Sequence, residues 1–176
     1  MKKVAFLLVV IAGCVYCYNT IWFQSMFNDS FYKSIVDAPF NVSQKGERLT
    51  VPLKYKYKTC YEVGLAVPGR YLSDTRKTGK GLMGYKFVFK GKTLASGVTQ
   101  PVVGPGWSGD DHISIRPLIV FDLPFPGASE GLFLTLEVIE PFVFLEEYKG
   151  ETSIIIRPNY EPKVGKCYDE DLRIQY

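Results

Sequence analysis

Residues 48–58 read RLTVPLKYKYK, and the alternation within them decides the fold. Leu49, Val51, Leu53, Tyr55 and Tyr57 occupy odd positions, whereas Arg48, Thr50, Lys54, Lys56 and Lys58 occupy even ones. Successive side chains of an extended strand point to opposite faces, so this period of two predicts a strand with one packed and one wet face. The pattern recurs in Tyr61, Val63, Leu65 and Val67, and again in Tyr85, Phe87 and Phe89, after which Gly91-Lys92 reads as a tight turn into a strand over 93–103. Further strands are expected over 113–123, 132–139, 142–145 and 153–157, about seven or eight in all. Pro68-Gly69, Gly104-Pro105-Gly106 and Pro126-Gly127 punctuate them. Many short strands with no long helical pattern between them predict an all-β fold, an antiparallel β-sandwich of immunoglobulin-like or jelly-roll outline.

Composition agrees. The 176 residues are 47% hydrophobic and 22% charged, enough for one domain with a sizeable core. Twelve Tyr, twelve Phe, 16 Gly and 11 Pro favour strands and turns. The formal charge is +3, and Lys2 and Lys3 account for two of those charges. A nucleic-acid partner is not expected from so weak a basic balance.

The N-terminus carries an address. Lys2 and Lys3 precede the apolar run VAFLLVVIA at 4–12, which is too short to span a bilayer as a helix. It ends in Ile11-Ala12-Gly13-Cys14, which resembles the lipobox of bacterial lipoproteins: an aliphatic residue, two small ones and the cysteine that takes a diacylglycerol. The resemblance implies a signal peptide over 1–13 and lipidation, palmitate included, at Cys14. Cys17 follows bulky Tyr16 and does not fit the pattern. The competing reading is an uncleaved anchor continued by Val15, Tyr16, Ile21, Trp22 and Phe23. Val15 lacks the acidic retention signal of enteric inner-membrane lipoproteins, so outer-membrane attachment facing the periplasm is expected. Segment 14–38 is the tether. It is aromatic where tethers are usually polar, and Ile21, Trp22, Met26, Phe27, Phe31 and Ile35 recur at near-helical spacing, as in a short amphipathic helix lying on the membrane or on the domain. The β-sandwich domain is expected over 39–176.

Cys60 and Cys167 remain once the tether is set aside, and in an oxidising compartment a disulfide between them is the natural reading. Two buried free thiols are the alternative. No CxxC pair is matched by a second Cys/His pair, so neither a structural zinc nor any cofactor is expected.

The stretch from Ala38-Pro39-Phe40-Asn41-Val42 through Lys45-Gly46-Glu47 to Tyr57 resembles the opening of a family of small bacterial lipoproteins whose β-sandwich domain has no known function. Some lipoproteins of this size and fold are immunity proteins, which neutralise toxins delivered by neighbouring cells, notably through type VI secretion. The resemblance implies no catalytic residue.

Catalytic chemistry is not legible. The single histidine, His112, lies in Trp107-Ser108-Gly109-Asp110-Asp111-His112, and Ser108, Asp110 and His112 stand too close in sequence for a triad. A polar loop between strands explains the same composition. Asp110 and Asp111, or Asp169, Glu170 and Asp171, lack the alternating spacing of a calcium loop.

Binding features are better represented. Segment 68–81 carries Arg70, Arg76, Lys77 and Lys80 against a lone Asp74. Long loops on a rigid scaffold often carry function. Trp107 with Asp110 and Asp111 offers an aromatic anchor beside two carboxylates, suited to plugging a partner's cleft. Trp107 as a core residue and the lysines as a solvated strand face are the plainer readings. The partner-binding candidates are therefore Arg70, Arg76, Lys77, Trp107, Asp110 and Asp111. Three roles follow in decreasing order: an immunity lipoprotein that occludes a toxin, a structural or assembly lipoprotein of the envelope or a secretion apparatus, and an envelope hydrolase.

Overall fold

The computed structural model describes residues 2–55, 57–69, 79–99, 107–108, 113–122, 130–160, 167 and 172–174. Two helices come first, α1 (Lys2–Tyr18) and α2 (Ile21–Phe27). The strands are β1 (Val36–Pro39), β2 (Arg48–Pro52), β3 (Cys60–Pro68), β4 (Leu82–Phe89), β5 (Lys92–Val98), β6 (Trp107–Ser108), β7 (Ile113–Asp122), β8 (Leu132–Glu140), β9 (Ser153–Pro158) and β10 (Leu172–Arg173). They form two sheets. One runs β1-β9-β3-β7-β10 with β6 also paired to β7, and the other runs β2-β8-β4-β5. Every described pairing is antiparallel except that of β10 with β7. The fold is the all-β, sandwich-like architecture that the alternation predicts.

The inner faces supply the core. In β8, Leu132, Leu134, Leu136 and Val138 are fully buried while the residues between them reach solvent. From the other sheet come Tyr61, Val63, Leu65, Phe121, Ile154 and Ile156, all without exposure. Phe87 of β4 meets Phe121 of β7 with ring centroids 4.9 Å apart, an aromatic contact that joins the two sheets. β3 is buried on both faces along most of its length, and its alternate positions build a smaller cluster of Ala66, Ile115 and Ile155 behind the sheet. There Glu62 faces Arg157 across the β3/β9 ladder, Oε1 to Nε 2.7 Å, with both side chains nearly excluded from water.

Local expectations shift in four places. β2 stops at Pro52, which lacks an N–H, and a proline is tolerated there because β2 is an edge strand. Leu53 and Tyr55 still turn inward beyond it. The β4–β5 turn is Lys90-Gly91, one residue earlier than expected, and both have positive φ (47° and 83°), the requirement of a two-residue hairpin loop. Segment 142–145 is not a strand but opens a 3-10 helix, Val143–Tyr148. Phe142 and Leu145, three residues apart and both fully buried, lie on the single face that a three-residue repeat presents. Finally, β1 pairs with β9, so the sheet begins at Val36, ahead of the boundary expected at residue 39. Segment 14–38, expected to carry a short helix, is helical to Tyr18 as the end of α1 and again over Ile21–Phe27.

Candidate functional site

β3 and β7 run side by side, and their register sets Pro68 opposite Ile113. In the sequence Gly69 precedes residues 70–78 and Ile113 follows residues 109–112, which lie outside the described residues. Ser114 Oγ donates to the Gly69 carbonyl at 2.6 Å and pins the two strand ends together. Beside them lies an open depression of about 330 Å³ lined by Ala66, Pro68, Gly69, Ile113, Glu151 and Ser153. Arg116 is buried in β7 opposite Leu65, and loss of solvent lowers its proton affinity.

Of the partner-binding candidates, Trp107 has its backbone in β6, paired with Ile115 of β7. Arg70, Arg76, Lys77, Asp110 and Asp111 lie outside the described residues, as do His112 and the acidic run 169–171. The disulfide between Cys60 and Cys167 is formed, with Cα atoms 5.5 Å apart. Cys14 and Cys17 are exposed on α1 with free thiols. Lys54 and Lys58 are exposed, and Lys56 lies outside the described residues.

A second surface escaped the sequence reading. On the outer face of the four-stranded sheet, Arg48 Nη2 meets Glu137 Oε2 at 2.6 Å and the hydroxyls of Thr50 and Thr135 share a hydrogen bond of 3.0 Å. Next to them Gly84 leaves a hollow, because it sits between Glu137 and Val98 in the cross-strand register and carries no side chain. The resulting open groove, about 500 Å³, is lined by Arg48, Thr50, Lys86, Thr135, Glu137 and Ile139. Val98 and Ile139 stand exposed at its edge. Its one carboxylate is held by a guanidinium, which suits recognition of a mixed polar surface more than proton transfer. The hollow depends on which residues three strands bring abreast. Gly84 within a strand is the trace it leaves in the sequence.

Among the described residues no group of three or more His, Cys, Asp or Glu is placed to hold a metal ion. No family model matches the chain, and no curated protein matches it. A protein of Sulfurospirillum deleyianum known from a crystal structure is similar to 72% of this chain over 98% of its own, at 15% identity and a TM-score of 0.48.

Proposed function

We propose that this chain is a cell-envelope lipoprotein, anchored through Cys14 to the outer membrane and facing the periplasm, whose sandwich is a protein-binding module: an immunity protein that neutralises a periplasm-acting toxin by occluding it. The observation that carries the reading is the pairing of Pro68 with Ile113 beside an open depression, because each stands next in sequence to one of the two candidate segments. Loops that leave a rigid sheet side by side can act as one surface, with the cations of one and the Trp107 segment of the other meeting a single partner. A disulfide of the kind retained in oxidising compartments supports export.

Two measurements test the parts separately. Metabolic labelling with a fatty acid should mark the wild type and leave Cys14→Ser unlabelled, and undiminished label in the variant would remove the anchor. For binding, the affinity of the protein for the product of the adjacent gene is compared with that of Trp107→Ala and of Arg70→Glu/Arg76→Glu. Each should weaken the complex by about 30-fold or more, as expected for loss of an anchor worth roughly 2 kcal/mol. His112→Ala should bind as the wild type does. Absence of a complex at micromolar concentration overturns the immunity role.

A further inference from the structure

α2 is polar inside and apolar outside. Its one buried residue is Gln24, whose amide donates to the Tyr18 carbonyl at 2.6 Å and whose Oε1 accepts from Asn28 Nδ2 at 2.6 Å. Asn28 Nδ2 also reaches the Tyr57 hydroxyl at 2.9 Å, which fixes the polar side of the helix against the sandwich. The opposite side presents Trp22, Met26 and Phe27, which are 49%, 63% and 64% exposed, continuous with Tyr18 at 59%. Rings run along this side, with Tyr18 to Phe23 at 5.5 Å and Phe23 to Phe27 at 4.8 Å. A helix on a water-facing surface arranges its residues the other way round.

The segment after α2 is locked to the domain. Phe31 is buried against Tyr57, Tyr32 stacks on Tyr160 with centroids 4.0 Å apart, and Ile35 N donates to the Ile156 carbonyl at 2.7 Å. The helix therefore cannot fold its apolar side inward without leaving these partners. Between Cys14 and α2, Val15, Tyr16 and Tyr18 are exposed as well, and α2 departs from α1 at a bend of 70°. Only six residues separate Cys14 from Ile21, a helical rise of about 10 Å.

We infer that the outer side of α2, formed by Tyr18, Trp22, Met26 and Phe27, seats in the interfacial layer of the lipid bilayer and holds the sandwich against the membrane in one orientation. This rests on the reading that the chain is held at a membrane, and adds that its tether is a docking element instead of a free leash. The occupant is lipid and not a second protein, because this side continues the exposed Val15, Tyr16 and Tyr18 back to Cys14, the residue read as lipidated. Trp and Tyr at this depth match the amphipathic ring chemistry of the headgroup layer. Lys58 lines the depression on the inner, polar side of α2 together with Gln24 and Asn28. Asp29 is the exposed opposing charge at the far end of the helix.

The test uses the full chain in vesicles of phosphatidylethanolamine and phosphatidylglycerol, with Trp107→Phe so that Trp22 alone emits. Lipids brominated at shallow and deep acyl positions report its depth. Trp22 emission should shift to the blue and be quenched more strongly by shallow than by deep bromines, in the wild-type background and in Cys14→Ser alike. Met26→Ser/Phe27→Ser, with the disulfide intact as a check on folding, should cut the quenching several-fold and expose Trp22 to aqueous iodide. Trp22 that is iodide-accessible and unquenched in both backgrounds overturns the inference, as does a dimer that shields Trp22 equally without vesicles. Failure of the lipoprotein reading is distinguished because it shows only in the fatty-acid label.

Discussion

Tyr61 shows how a single residue links the core to pH. Its ring is buried between the sheets against Phe121, and its hydroxyl donates to the Tyr57 carbonyl at 3.0 Å. Burial pushes its pKa up from 10.0 to about 12; the Tyr57 N–H, which donates to the phenol oxygen at 3.4 Å, opposes the shift, and the Tyr57 hydroxyl adds to it. A pKa higher in the folded than in the unfolded chain means that the neutral phenol belongs to the fold. Its contribution is whole below pH 10 and is lost as pH rises from 10 towards 12. The two-unit interval corresponds to about 3 kcal/mol of stability lost across it, to order of magnitude. Urea midpoints should fall over that window in the wild type and fall less in Tyr61→Phe, which has no proton to lose. Equal slopes in the two proteins would assign alkaline unfolding to other groups. The alternation of the sequence already marks Tyr61 as inward-facing, but its hydrogen bond depends on a turn of chain after Pro52 that no periodicity describes.

β3 is the element on which the others are hung, paired with β7 on one side and β9 on the other. Its sequence alternates large and small, and the large residues were legible as core. The burial of its other face was not, because Glu62, Gly64 and Ala66 look like a solvent side until β7 and β9 bring Ile115 and Ile155 over them. Gly64 marks the closest approach. A Cβ there would stand 2.5 Å from Ile115 Cγ2, and the ladder with β7 shifts register between Val63 and Gly64. Gly64→Ala must therefore displace Ile115 or the strand, at a cost of about 1–3 kcal/mol, the range for overpacking a core. A shift of the denaturation midpoint below that range would show that Ile115 finds another rotamer freely. The same limit of sequence reading applies to α2. Its helical spacing was visible, yet which side faces the protein is decided by Asn28 meeting Tyr57, 29 residues away. The groove at Gly84 is likewise a property of register, invisible until β8, β4 and β5 are laid abreast.

At the scale of the molecule, two sheets share one core, and the described residues of the C-terminal segment join it through a short strand and a disulfide. β10 pairs with β7 over two residues, Leu172 with Phe121 and Arg173 with Asp122, and Ile174 adds one buried side chain. The disulfide from the start of β3 to Cys167 adds a covalent tie, across a separation of 107 residues. Chain-entropy arguments assign a loop of that length about 4–5 kcal/mol, because the bridge removes conformations from the unfolded chain. This is a large share of the 5–15 kcal/mol by which a domain is typically stable. Cys60→Ala/Cys167→Ala should accordingly lower stability by several kcal/mol, read as a fall in the denaturant midpoint. The sandwich should survive at low denaturant, since no described core contact passes through the sulfurs alone. The damage should begin at the C-terminus: limited proteolysis of the double variant should cut after residue 160 first, while fragments containing β1 to β9 persist. If the midpoint is unchanged, β10 and Ile174 hold the tail unaided; if cleavage begins instead within β3 or β8, the bridge organises the core as well as the tail.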